Sequence, residues 1–159
     1  MEIYLDIKIR ESREMDLTSS PVRTSEQPWM PLGPGISARP LWFGDEDRTL
    51  QLKVDPGVSV GRHRHTGAVH AFNVSGSREL GNGEIAGPGD YVYEPPGNAD
   101  CWRAIGDEPC IVQITLSGRV IYLPDDGAEE SYTDTAKLKE QYLNWCRSAG
   151  HPVTALGAS

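Results

Sequence analysis

Short alternations of apolar and polar residues fill the chain from Arg39 to Leu123. RPLWF, RTLQLKV, HAFNVS, DYVYE, CIVQITL and RVIYL are the clearest, and GDED, DPG, GNG, GPGD, PPGN, GDEP and PDDG separate them. Period-two runs cut by Gly, Pro and Asp read as strands and turns. About eight strands within roughly 85 residues predict a sandwich or small barrel. Ahead of this block, Ile3, Leu5, Ile7 and Ile9 alternate with polar residues and predict a half-buried extra strand. A polar arm follows from Glu11 to Gln27, and PWMPLGPG (28–35) is too rich in Pro and Gly to be regular. Beyond the block, Leu138, Tyr142, Trp145 and Cys146 recur at helical spacing. Thr133 or Asp134 can cap that helix, and Gly150 followed by Pro152 can end it. The predicted organisation is a strand and arm over 1–36, a barrel over 37–125, and a helix and tail over 126–159.

Composition narrows the function classes. The 159 residues suit one domain, and 17 Gly with 12 Pro fit a turn-dense β architecture. A formal charge of −8 argues against a surface that tracks phosphates, so nucleic acid is not an expected partner. No apolar run approaches the ~20 residues that span a bilayer, and the N-terminal residues lack the apolar block of a signal peptide. Three cysteines without C-x-x-C spacing, Cys101, Cys110 and Cys146, fit a reducing compartment. These features predict a cytoplasmic protein with a small-molecule substrate. An amphipathic strand at residues 3–9 before a long arm predicts a dimer or larger assembly, by addition to a neighbour's sheet.

Candidate chemistry gathers in GRHRHTGAVH, where His63, His65 and His70 fall within eight residues. Two histidines at i and i+2 on a strand share a face, and imidazole is a common ligand for Fe, Zn, Ni and Mn. The other reading of such a pair is two surface histidines flanked by Arg62 and Arg64.

The spacing around the pair resembles the two signature motifs of the cupin superfamily. Gly57, His63, His65, Val69 and Gly76 fall on the first, with Val where Glu is usual. Gly89, Pro95, Gly97, Asp100 and Ala104 fall on the second, with Asp where His is usual. The chain is also similar over roughly 28–149 to the dihydroxyacetophenone and acetylacetone dioxygenase group. The resemblance implies an all-β double-stranded β-helix, the jelly-roll of cupins, with the N-terminal strand and C-terminal α-helix as additions. It also implies a divalent metal, Fe(II) first with Zn, Ni or Mn as alternatives, and O2-dependent cleavage beside a carbonyl.

Only His63 and His65 carry over as ligands. Asp100 at the third position would complete a two-His-one-carboxylate set, or else is a turn residue after Pro-Pro-Gly. His70 is a further candidate ligand, although alternation turns it away from the barrel if Val69 faces inward. Glu94 could orient a ligand or a carbonyl substrate. Gln113, if it faces inward from its apolar strand, needs a polar partner that a substrate or metal-bound water would supply. Two alternatives accompany the dioxygenase expectation. One is a non-oxidative cupin enzyme (isomerase, cyclase or lyase) with Asp100 as acid or base; the other is a non-catalytic cupin that senses a metal or ligand.

Overall fold

The computed structural model describes residues 20–154 and 156. The alternating runs become strands β1 (Met30–Gly33), β2 (Ile36–Phe43), β3 (Asp47–Val54), β4 (Ser59–His65), β5 (Val69–Ser75) and β6 (Ser77–Leu80). β7 (Ile85–Ala86), β8 (Tyr91–Glu94), β9 (Ala99–Ile105), β10 (Cys110–Ser117), β11 (Val120–Tyr122) and β12 (Ser131–Thr133) follow. They form two six-stranded antiparallel sheets, ordered β1-β2-β3-β10-β5-β8 and β12-β11-β4-β9-β6-β7. The segment 28–35, expected to be irregular, supplies β1. Met30 pairs with Ala38 across the turn and is itself buried, so tertiary pairing overrides its Pro and Gly content. The predicted strand at residues 3–9 lies outside the described residues.

Alternation sets the core. On β3, Arg48, Leu50 and Val54 are buried; on β10, Cys110, Val112 and Leu116; on β9, Trp102 and Ala104. These side chains meet between the sheets with Val69 and Ala71 of β5. The chain passes from one sheet to the other through a single residue, Gly76, between β5 and β6. Its φ of +65° and a Cβ position only 2.3 Å from the Pro109 carbonyl oxygen leave room for glycine alone.

The predicted helix is α1 (Thr135–Ala149). Asp134 caps it by accepting from the Lys137 backbone N–H at 2.8 Å, and Gly150 ends it at φ 70°. Its stripe Leu138, Tyr142 and Cys146 is buried, with Tyr142 against Phe43 of β2. No helix among the described residues is long and apolar enough to cross a membrane.

Candidate functional site

A cavity of about 450 Å³ lies between the sheets. Apolar side chains make most of its wall, including Leu50, Val60, Val69, Ala71, Trp102, Ile114 and Leu116, and α1 contributes Lys137, Leu138 and Gln141. His63, His65, Glu94, Arg48 and Arg78 are the polar residues buried within it.

The two histidines reach the cavity through a slip in pairing. β4 and β9 shift register between Val60, opposite Trp102, and His63, opposite Asp100. β4 therefore spends one residue more than β9 across Gly61 and Arg62, as a bulge does. Strict alternation from the cavity-lining Val60 would turn Arg62 and Arg64 inward. With the extra residue, His63 and His65 are buried and both arginines are exposed. The imidazoles stand edge to face with centroids 4.8 Å apart.

Their protonation follows from their neighbours. His63 Nδ1 lies 2.7 Å from the Gly61 carbonyl oxygen. A carbonyl only accepts, so Nδ1 carries a proton, and Nε2 is the nitrogen that could serve as a ligand atom. Burial pushes His65 down to about 4, helped by His63 and Arg48, so it is neutral near pH 7. Its Nε2 sits 3.8 Å from Glu94 Oε2, a contact between a neutral ring and a carboxylate rather than an ion pair. His65 Nδ1 is buried without a hydrogen-bond partner. Glu94 Oε1 accepts from Asn98 Nδ2 at 2.8 Å.

Glu94 pairs directly with Val69 across β8 and β5. Opposed residues of an antiparallel pair share a face. The carboxylate that the motif resemblance places at position 69 therefore comes from the strand alongside.

Other sequence candidates fall elsewhere. Asp100 is opposite His63, yet it lines a neighbouring pocket instead of the cavity. Its Oδ1 accepts from the backbone N–H of Gly81 at 3.1 Å and of Cys101 at 2.8 Å. The expected set of His63, His65 and Asp100 is not gathered, because an aspartate is short and two backbone donors, Gly81 in the β6–β7 turn and Cys101 on β9, capture it. His70 is exposed on the outer face, hydrogen-bonded to the Tyr91 hydroxyl and tilted against Tyr93, so alternation wins over its candidacy as a ligand. Gln113 also lies on the outer side, opposite Phe72, where it accepts from Gln51 Nε2 at 3.1 Å. Gln51 in turn accepts from Arg39 at 2.8 Å, so a cross-strand ladder meets the need assigned to a substrate. Phe72, Tyr91 and Tyr93 are exposed, whereas Trp102, Tyr122 and Tyr132 line the cavity.

Sequence reasoning missed Arg48 and Arg78. Arg48 was legible in principle, as the first residue of the inward-facing series 48, 50, 52 and 54 on an apolar strand. Arg78 follows the sheet crossing at Gly76, where alternation starts afresh.

In kind, two imidazoles and a carboxylate suit a divalent metal. His63 meets that chemistry best, with one nitrogen anchored and the other free. In spacing, no group of three or more His, Cys, Asp or Glu among the described residues comes close enough to hold an ion. The site is thus a histidine pair with one carboxylate beside it.

Comparison with known proteins agrees with this architecture. An RmlC-like cupin protein from Ralstonia eutropha is 22% identical with a TM-score of 0.81, over 91% of this chain and 97% of that one. The acetylacetone dioxygenase of Acinetobacter johnsonii is 18% identical with a TM-score of 0.71, over 80% and 93%. The anti-sigma factor ChrR of Rhodobacter sphaeroides, in complex with SigE, is 22% identical with a TM-score of 0.54, over 60% and 51%. At these identities the likeness is one of fold. No curated protein matches the chain. Residues 18–115 match the ChrR cupin-like domain family, more than half of the chain. With the jelly-roll and the paired histidines in place, the chain belongs to that family of cupins.

Proposed function

We propose that the chain is a metal-dependent cupin enzyme that oxidises a small carbonyl compound, such as a diketone or an aryl hydroxyketone, in the His63/His65 cavity. The observation that carries this reading is the histidine pair, 4.8 Å between centroids, beside Glu94 in a largely apolar recess. His63 Nε2 and His65 would hold the metal, with Glu94 the nearest carboxylate. A bound Fe(II) supplies a Lewis acid for the carbonyl and an electron donor for O2. The likeness of fold to an acetylacetone dioxygenase supports a small carbonyl compound and O2 as the reactants.

The chain's own groups do the rest. Gly61 O fixes the His63 ring. The apolar wall excludes water around a ligand of a few carbons. Glu94 Oε2, beside His65, would take a proton from the carbon next to a carbonyl. The test is oxygen consumption with added Fe(II) across a panel of small diketones and hydroxyketones. Substrate-dependent uptake that falls at least about 100-fold in His63→Ala is expected. Full uptake in that variant would overturn the reading.

A sensing role is favoured by a different observation, the match to a family described by ChrR, itself an anti-sigma factor. That role would show as a stoichiometric protein partner together with no turnover of any compound in the panel.

A further inference from the structure

We infer that the cavity takes a small oxo-carboxylate, with its carboxylate held at Arg48. This deepens the proposal above and rests on its reading of the cavity as a site for a small carbonyl compound.

The cavity's charge is opposite to that of the chain. The protein carries −8, yet Arg48, Arg78 and Lys137 line the cavity against one carboxylate, Glu94. Both arginines are almost wholly enclosed, at 1% and 2% exposure. Burying a guanidinium is costly unless an anion and a full set of acceptors meet it.

Neither condition is fulfilled within the described chain. Arg48 Nη1 donates to the Gly118 carbonyl at 2.9 Å and the Thr135 hydroxyl at 3.2 Å, both neutral. Arg78 Nε donates to Asn73 Oδ1 at 3.1 Å, and its head lies 4.9 Å from the Trp102 ring centre. Each keeps a buried Nη2 with no partner. Among the described residues neither arginine joins an ion pair. The two heads stand at opposite ends of β10, Arg48 by Leu116 and Arg78 by Cys110. Arg78 has Glu94 and Asp100 nearby, whereas Arg48 has only Asp134, already engaged as the cap of α1, so Arg48 is the anchor left for an anion.

A planar carboxylate suits such donors, because it accepts two parallel N–H bonds from a guanidinium. The apolar remainder of the wall favours a short carbon skeleton over a heavily hydrated phosphate. A carbonyl on that skeleton would be left for the histidine pair, which Arg48 adjoins at His65.

The test uses two matched probes, acetoacetate and acetylacetone, which differ by a carboxylate in place of an acetyl group. Their affinities are measured by calorimetry on the full chain after chelator treatment, so that no metal can capture the carboxylate. Acetoacetate is expected to bind about tenfold tighter or better. Arg48→Gln should lower that affinity about tenfold and leave acetylacetone within about twofold, whereas Arg78→Gln should leave the preference for acetoacetate in place. Equal affinities in the unmodified chain, or a preference untouched by Arg48→Gln, would overturn the inference. Should a variant fail to fold, the paired affinities on the unmodified chain decide the matter. Oxygen uptake is independent of this readout. A carboxylate preference without uptake overturns the enzyme reading alone, and uptake without the preference overturns the oxo-carboxylate alone.

Discussion

Two recesses of nearly equal volume, about 450 and 430 Å³, share Glu94 in their walls. The first holds His63, His65, Arg48 and Arg78 in a mainly apolar lining. The second holds Asp100, Asn82, Asn98 and Arg62 around the β6–β7 turn. Motif spacing assigns Asp100 to the first recess, and strand pairing even sets it opposite His63. A backbone N–H at Gly81 decides otherwise. Where a polar side chain ends up depends on the nearest competing donor as well as on the face it starts from.

The contrast can be broken most forcefully by restoring the motif's own carboxylate. Val69→Glu would bury a second charge directly across from Glu94 in an apolar wall. Unfolding by denaturant should show a loss of more than about 3 kcal/mol without metal, and partial recovery with Fe(II).

Acid should separate the recesses next. In the chelated protein the folded His65 titrates at about 4, against about 6.5 for the unfolded chain. As pH falls through that window the unfolded chain takes up the proton first, so stability is lost, by at most about 3 kcal/mol. Denaturant unfolding at pH 7 and pH 4.5 measures this, and His65→Gln should show the smaller loss on acidification.

The mildest test compares the carboxylates. Glu94→Gln should weaken metal affinity about tenfold or more, whereas Asp100→Ala should leave it within about twofold. Asp100→Ala should cost only about 1 kcal/mol, from its two backbone hydrogen bonds. A metal-binding loss in Asp100→Ala equal to that in Glu94→Gln would return Asp100 to the site.

Much of the fold was legible because its causes are local. Alternation marked β2, β3, β5 and β10, and Asp134 and Gly150 marked the ends of α1. The H-x-H pair was legible because two residues on one strand share a face wherever that strand lies. The remaining site depends on relations across strands. Glu94 becomes its carboxylate through register with Val69, and Asp100 leaves it through contact with a turn nineteen residues away in sequence. Gln113 looked like an inward misfit on an apolar strand, but its partner Gln51 lies 62 residues earlier. None of these pairings has a signature within its own segment.

The helix bears on how the molecule can be taken apart. Leu138 belongs to the core and to the cavity wall, with Lys137 and Gln141 beside it. The hydroxyl of Thr135 donates to the Glu46 carbonyl and accepts from Arg48, so the first turn is fastened to the strand that carries the arginine. A boundary drawn at residues 125 and 126 separates the strands from a piece of their own interior. The smallest unit that could keep a binding site therefore includes α1, and trimming back to the barrel would remove site and stability together.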